Sequence, residues 1–192
     1  GHCPSVGIGG FLIGGGYGWN SRALGPACLS VEAVDVVLPS GELMHADDGS
    51  HPDLMWAVRG AGPGFFGIVT RFHLRVYPQY DSILRSAYVF PRELQVEVLA
   101  WSYETVPAIS PWLEMSAKVS FTSGIDMPTT MLTAAAFCAG DQTGDMLRPI
   151  ENAPFISKAI RRIERVPSTI DDLYDLSDTL TPAGYRYAVD GV

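Results

Sequence analysis

The sequence has few basic residues, no paired cysteines and no long uninterrupted apolar run. It carries 13 Lys and Arg against 21 Asp and Glu, a formal net charge of −8. With no basic stripe, this balance excludes nucleic acid and an anionic membrane surface as partners. The three cysteines form no CxxC pair, so neither a disulfide scaffold nor a zinc site is supported. The four histidines show no metal-ligand spacing, and we predict no metal site.

Segments that direct a protein into or across a membrane are also missing. The most apolar stretch, Val6 to Trp19, has 14 residues, fewer than the roughly 20 that span a bilayer. No signal-peptide pattern opens the sequence, which favours the cytoplasm as its compartment. The sequence lacks an initial methionine and stops inside an apparent strand, RYAVDGV. We therefore expect a piece of a longer protein.

Several catalytic and nucleotide-binding motifs are absent. No GxxxxGK[ST], HExxH or GxSxG occurs, which excludes a P-loop, a zinc metalloprotease and an α/β-hydrolase nucleophile. Gly62 to Gly67 fits GxGxxG by letter, but a nicotinamide-binding fold needs a strand before this motif and a helix after it. Here a predicted helix precedes it and a predicted strand follows, so we reject that interpretation.

What the sequence does contain is a glycine run beside a cysteine. Gly7 to Gly18 reads GIGGFLIGGGYG, and Cys3 stands just before it. Glycine weakens helices and strands, so such a run is typical of backbone with positive φ or of a surface that a large group approaches closely. A flat, phosphate-bearing cofactor is such a group. A flexible linker is the alternative, but linkers are polar and this run is interleaved with apolar residues.

The first third of the chain predicts short elements joined by turns. Val31–Leu38 is rich in β-branched residues and predicts a strand, and Glu42–Ala46 its hairpin partner after a Pro-Ser-Gly turn. Ser50 as N-cap and Asp53 as the closing residue of a capping box predict a helix that stops at Gly60.

The segment Phe66–Val76 alternates between apolar and charged residues. Period-2 alternation predicts a strand with one buried and one solvated face. The expected buried set is Ile68, Thr70, Phe72, Leu74 and Val76, and the expected solvated set is Arg71, His73 and Arg75.

Residues 79–192 predict an alternation of strands and helices. The expected order is strand Ile83–Phe90, helix Arg92–Val106, strand Trp112–Phe121, strand Thr130–Cys138, helix Asp141–Asn152, strand Ile160–Val166 and helix Ser168–Leu180. The last helix would begin with a capping box over Ser168–Asp171. This pattern indicates an α+β fold with helices on one face of a mainly antiparallel sheet. Composition places a domain boundary after residue 78.

Three elements arrive in an order that resembles a known family. They are GHCPSVGIGG, then GGGYG, then DLMWAVRGAGPGFFGIVT. Over about residues 1–78 the chain resembles the FAD-linked oxidases of the vanillyl-alcohol-oxidase type, which have a PCMH-type FAD-binding domain, and their berberine-bridge-enzyme-like branch. Residues 79–192 resemble the start of that family's substrate domain in element order and in the segment PAGYRY.

The resemblance implies roles for particular residues. Cys3 occupies the position of the cysteine that attaches to C6 of the flavin ring; the alternative is an unmodified small residue. Residues expected along the flavin and pyrophosphate are Val6, Gly7, Gly9, Gly10, Gly14, Gly15, Gly16 and Gly18, and residues expected at the adenine end are Gly67, Ile68 and Val69. The family's R-x-G-G-H segment and its late Y-x-N segment are absent here, and Phe11 replaces a histidine.

The resemblance also implies the chemistry of the full-length protein, which needs the rest of its own chain. It would be an FAD-dependent oxidase or dehydrogenase, whose flavin accepts a hydride from a small-molecule substrate. Strand alternation places Glu114 and Lys118 opposite Met115, Ala117 and Val119, on the face that meets the flavin in this family. They are the candidate catalytic residues, unless they form a solvated ion pair. The other class of function left open is a non-catalytic α+β module that binds a ligand or a protein through its glycine-rich loop.

Overall fold

The structure is a computed structural model that describes residues 1–121, 124–138 and 143–174. It divides into two compact units, one holding residues 1–78 together with Tyr174 and the other residues 79–173. Both units combine helices with an antiparallel sheet, so the predicted α+β class is confirmed. Within the described ranges, the helices are too short or too polar to cross a membrane.

The first unit contains three strands and three α-helices. They are α1 (Ile8–Ile13), α2 (Ser21–Leu24), β1 (Val31–Val37), β2 (Leu43–Asp47), α3 (Pro52–Val58) and β3 (Ile68–Leu74). The sheet order is β2-β1-β3, with both pairs antiparallel. The predicted hairpin is confirmed. Gly41 takes the left-handed φ of 86° that its turn needs and that glycine adopts at little cost.

One face of this sheet packs against α3 and forms the core of the first unit. Its fully buried side chains come from β1, β2 and α3, and Leu12 of α1 joins them. Because β-branched valines fill the pleated face of β1, this strand is central to the unit. The buried members are Leu12, Val31, Val34, Val36, Ala46, Leu54, Met55 and Val58.

The predicted capping box at the start of α3 is wrong. The cap residue is His51, which has a left-handed φ of 63° and makes no side-chain hydrogen bond to the helix. The N–H of Ser50 instead donates to Asp47 Oδ1 at 2.6 Å, so Ser50 belongs to the turn that leaves β2. Pro52 begins the helix, at a position where its missing N–H is not needed.

The predicted buried face of β3 is also partly wrong. Val69 and Phe72, three residues apart, pack against the core. Of the expected buried set only Phe72 does so, since the other four residues are exposed: Ile68 (71%), Thr70, Leu74 and Val76. The pairing of β3 with β1 shifts by one residue at Thr70. Such a bulge inserts an extra residue, so the side-chain alternation is reversed beyond it.

The second unit has a four-stranded antiparallel sheet. Its elements are β4 (Ser82–Phe90), α4 (Gln95–Thr105), β5 (Leu113–Phe121), β6 (Pro128–Cys138), α5 (Thr143–Glu151) and β7 (Arg161–Ser168), and the sheet order is β5-β6-β4-β7. Both helices pack on one face, where Tyr88, Phe90, Leu132, Leu147 and Phe155 are buried. The other face of the sheet is not covered by α4 or α5. The predicted arrangement is therefore confirmed for the described elements.

The start of the last predicted helix differs by one residue from the expectation. Residues 170–174 are helical, and the capping box joins Thr169 to Asp172. The Thr169 N–H donates to Asp172 Oδ2 at 2.6 Å, and the Asp172 N–H donates to Thr169 Oγ1 at 3.2 Å. Ser168 instead ends β7. The rest of that helix and the PAGYRY segment lie outside the described residues.

Candidate cofactor site

The glycine run contains a short helix that the sequence did not predict. Helix α1 is anchored by Leu12, which is 3% exposed. After it, Gly15 and Gly16 have left-handed φ values of 98° and 76°. Their carbonyl oxygens accept hydrogen bonds from the N–H groups of Cys28 and Ala27, at 2.9 and 2.8 Å. The backbone therefore turns back on itself where only glycine adopts those angles easily.

The glycines of this run differ in what surrounds their Cα atoms. A Cβ on Gly16 would lie 2.9 Å from Ala27 Cβ, and one on Gly18 would lie 3.0 Å from the Gly1 nitrogen. A Cβ on Gly7, Gly10 or Gly15 would meet nothing within 4 Å. Gly16 and Gly18 are thus required by packing. Gly7, Gly10 and Gly15 instead leave a bare backbone surface that a ligand can approach.

The amide groups at the start of α1 add a polar feature to that surface. The first intrahelical bond runs from the Phe11 N–H to the Gly7 carbonyl, so the preceding amides have no partner within the helix. The cap residue Gly7 has no side chain to bond them. Bare N–H groups beside an open glycine surface fit the phosphate and ring atoms of a cofactor such as FAD.

The second glycine segment meets the first. It lies between α3 and β3 and forms a 3-10 turn over Gly62–Gly64, so it does not begin a helix and the rejection of a nicotinamide site is confirmed. A Cβ on Gly62 would lie 3.9 Å from Gly14 Cα. The structure therefore brings the two glycine segments together.

The predicted adenine-end residues occupy three different environments. Gly67 is packed against β1, since a Cβ there would lie 2.5 Å from Val36 Cγ1. Ile68 is exposed, and Val69 packs into the core. Packing alone therefore accounts for Gly67 and Val69, whereas the exposed Ile68 leaves an apolar surface at the start of β3.

Cys3 is an exposed free thiol. The residues around it pack against the glycine run: His2 contacts the ring of Trp19 at a centroid distance of 5.1 Å, and a Cβ on Gly1 would lie 3.2 Å from the Phe11 ring. Val6, which follows, is 54% exposed. The sequence around Cys3 is thus held beside the run while its sulfur remains accessible.

Glu114 and Lys118 lie on the face of the second sheet opposite α4 and α5. Leu113, Met115 and Ala117 pack against the helices, so the intervening residues of β5 point to the other side. The predicted register is confirmed up to Ala117, but Val119 is 41% exposed and does not join the core. Burial lowers the pKa of the Lys118 ammonium.

Sequence analysis missed Arg85 on the same face. Arg85 of β4 and Glu114 of β5 both pair with Ala135, from opposite sides of β6. The Nε atom of Arg85 is buried, without a hydrogen-bond partner among the described residues. The sequence signal that could have identified Arg85 is a charged residue between Leu84 and Ser86 within a predicted strand. Ala135 therefore lies between a carboxylate and a guanidinium on this face, and Lys118, which pairs with Met131, adds a second cationic group farther along β5.

Comparisons with known proteins agree on one family. A family model described as an FAD-binding domain matches residues 1–47. The FAD-linked oxidoreductase janO of Penicillium janthinellum is 34% identical over 198 aligned residues, which cover 100% of this chain and 43% of that protein. The chain thus spans less than half the length of this curated relative.

Solved structures show the same fold. The BBE-like 1 protein of Physcomitrella patens is 27% identical, with a TM-score of 0.70, and the match covers 88% of this chain and 34% of that one. The glucooligosaccharide oxidase of Acremonium strictum is 24% identical, with a TM-score of 0.74 and 95% and 36% coverage. That oxidase carries a 6-S-cysteinyl, 8α-N1-histidyl FAD.

Proposed function

We propose a function from the premise that the chain belongs to the family of FAD-linked oxidoreductases with a PCMH-type FAD-binding domain. The full-length protein is, in this proposal, an FAD-dependent oxidase or dehydrogenase. In this proposal residues 1–78 supply the second half of the FAD-binding domain, and residues 79–192 supply part of the substrate domain. The observation that carries it is the meeting of two glycine segments whose open Cα positions leave bare backbone for a cofactor.

The cofactor would be held mainly by backbone. The glycines with open surroundings, Gly7, Gly10 and Gly15, admit the flat ring and the pyrophosphate without contact from side chains. Gly9 continues that surface, while Gly14, where a Cβ would lie 3.1 Å from the Gly10 carbonyl oxygen, and Gly16 and Gly18 hold the turn that shapes it. The exposed side chains of Val6 and Ile68 would cover apolar parts of the cofactor. When bound, FAD supplies the hydride-accepting chemistry.

Cys3 is the proposed covalent attachment point. Its sulfur is exposed and lies beside the glycine run that would hold the cofactor. A covalent tether fixes the position of the ring, so the backbone surface need not bind it as tightly. The cysteinyl FAD of the Acremonium strictum oxidase supports this role.

The face of the second sheet opposite α4 and α5 is the proposed substrate surface. Glu114 would accept the proton that a substrate O–H or N–H loses as the adjoining carbon gives up its hydride. Lys118, whose pKa is lowered by burial, and Arg85 would hold polar groups of the substrate. A carboxylate and two cationic groups on one face of a sheet favour a small polar molecule over an apolar one.

Absorbance and mass measurement on the purified full-length protein test this proposal. We expect a yellow protein, with a flavin band that remains on the polypeptide after denaturation and gel filtration. Turnover of a reduced substrate should bleach that band in the absence of an electron acceptor. A folded full-length protein that stays colourless when FAD is added would overturn the proposed function and favour the ligand-binding or protein-binding module.

A further inference from the structure

A second cluster of chemistry-bearing side chains lies on the outward face of the sheet in the first unit. It consists of Asp35, His45 and His73, one from each strand. The pairing register places His45 of β2 opposite Asp35 of β1, and His73 of β3 opposite Ala33, two residues before Asp35. Residues two apart share a face of a strand, so the sheet itself brings the three together.

The atoms of this cluster are close enough to share one cation. His45 Nδ1 lies 2.7 Å from Asp35 Oδ1, and His73 Nε2 lies 3.6 Å from Asp35 Oδ2. One nitrogen or oxygen from each of the three residues lies within 4.8 Å of the others. The two imidazole rings meet edge to face at a centroid distance of 5.4 Å.

His73 provides an independent sign that a ligand is missing. Its Nε2 atom is buried and makes no hydrogen bond to any described residue, because 3.6 Å to Asp35 is too long for one. Buried polar atoms in folded proteins almost always have a partner. The His73 side chain as a whole is 42% exposed, so its Nε2 atom is covered only locally, and a cation between it and the Asp35 carboxylate would satisfy it.

The charges around the cluster suit a cation held partly in solvent. The hydrogen bond from His45 is the main reason that the pKa of Asp35 lies below its ordinary value, so the carboxylate is negative at neutral pH. Arg71 Nε lies 3.8 Å from Asp35 Oδ2, but its side chain is 71% exposed and free to turn toward water. Asp35 itself is fixed on the central strand.

We propose that Asp35, His45 and His73 form a binding site for a borderline divalent cation such as Zn²⁺. Two imidazole nitrogens and one carboxylate oxygen are ligands that Zn²⁺ prefers, and water would complete its coordination. Mg²⁺ and Ca²⁺ prefer oxygen ligands and fit less well. On binding, the hydrogen bond between His45 Nδ1 and Asp35 would be replaced by a bond from each residue to the cation, and the Nδ1 proton of His45 would move through solvent to Nε2.

The cation would connect all three strands of the sheet. Each ligand belongs to a different strand, so one ion would link β2 to β1 and β1 to β3. A cation that binds the folded state alone stabilises it by mass action. The proposal is independent of the FAD site, since none of the three residues belongs to the glycine segments.

The test is a Zn²⁺ titration of the full-length protein after treatment with a chelator. We expect one equivalent to bind by calorimetry near neutral pH and the melting temperature to rise. Binding should weaken as the pH falls, because protons compete with the cation for the imidazole nitrogens. Co²⁺ in place of Zn²⁺ should give visible absorption bands from nitrogen ligation.

Variants identify the site. His45→Asn and His73→Asn should each weaken binding about tenfold or more, the range seen when metal sites lose supporting groups. His51→Asn is the matched control, since His51 lies outside the cluster and Asn tolerates its left-handed conformation. Cys3→Ser controls for zinc held by the exposed thiol.

Two results would overturn the proposal. One is equal Zn²⁺ affinity in the wild type and in the His45→Asn, His73→Asn double variant. The other is no binding by the wild type at millimolar Zn²⁺. Should the variants fail to fold, imidazole NMR shifts of the wild type on Zn²⁺ addition decide instead. Shifts confined to His45 and His73 support the site, and shifts elsewhere or none overturn it.

Discussion

Gly67 lies so close to Val36 that a methyl group has no room between them. A Cβ on Gly67 would lie 2.5 Å from Val36 Cγ1, and the Val36 side chain is fully buried. The valine cannot move aside without disturbing the core, so Gly67→Ala should strain the contact between β1 and β3. We expect a loss of about 1–3 kcal/mol in the free energy of unfolding.

Gly64→Ala is the matched control for that substitution. A Cβ on Gly64 would meet nothing within 4 Å, so the free energy of unfolding of this variant should lie within about 0.5 kcal/mol of the wild-type value. Thermal unfolding of the full-length protein measures both. Equal stability of the two variants would show that Gly67 is not required by packing.

The second prediction concerns the proposed attachment at Cys3. Cys3→Ser should leave the flavin without its sulfur bond, so a larger share of it should separate from the denatured polypeptide. In the wild type, the tryptic peptide that contains Cys3 should carry flavin mass. The peptide that contains the buried Cys28 is the internal control and should be a plain thiol. A plain thiol at Cys3 in yellow, active protein would contradict the attachment.

The third prediction concerns Glu114. In the full-length enzyme, Glu114→Gln should lower turnover at least tenfold while changing the melting temperature little, because the amide cannot accept a proton. Glu104→Gln is the control, since Glu104 is an exposed residue of α4. If Glu114 serves instead in a solvated ion pair, both turnover and stability should change by less than about 1 kcal/mol.

The fourth prediction concerns the start of the last helix. Thr169→Ala should destabilise the protein by about 0.5–2 kcal/mol, the usual effect of losing an N-cap side chain. Ser168→Ala, which alters the cap that the sequence suggested, should have a smaller effect. Thermal unfolding near neutral pH compares the two, and a larger effect at Ser168 would contradict the observed cap.

The contribution of this cap to the stability of the protein depends on pH, and the pKa of Asp172 gives the direction of that dependence. Hydrogen bonds from the N–H and then the hydroxyl of Thr169 hold the pKa of Asp172 below its ordinary value of 3.8. A depressed carboxyl pKa adds stability above pH 3.8, and that contribution is lost as the pH falls further. The difference in melting temperature between wild type and Thr169→Ala should therefore shrink as the pH falls below about 3.8. A constant difference would mean that Asp172 takes no part in it.

Much of the fold follows from local patterns in the sequence. The β1-β2 hairpin is predictable because a β-branched strand, a glycine turn and a second strand follow one another. The order of strands and helices in the second unit follows from periodicity. The errors arose where a neighbouring strand or turn decided the outcome. The bulge at Thr70 depends on pairing with β1, and Ser50 bonds to the preceding turn instead of capping α3.

The candidate sites were predictable to different degrees. The glycine run points to a cofactor, but which glycines are open and which are packed depends on Ala27 and Phe11, and the sequence does not reveal that. The contact between Asp35 and His45 could be predicted in part from the sequence, because the hairpin register follows from its short turn. His73 joins them only through the bulged pairing of β3.

The outer edge of β3 bears on how this part of the protein can be handled. Among the described residues β3 pairs on one side, with β1, and Ile68 and Phe66 beside that edge are 71% and 58% exposed. An unpaired strand with apolar side chains is a template for association between molecules. When this segment is expressed alone, without the rest of the full-length protein, it should aggregate as its concentration rises. Full-length protein is therefore the better starting material for crystallisation and enzymology.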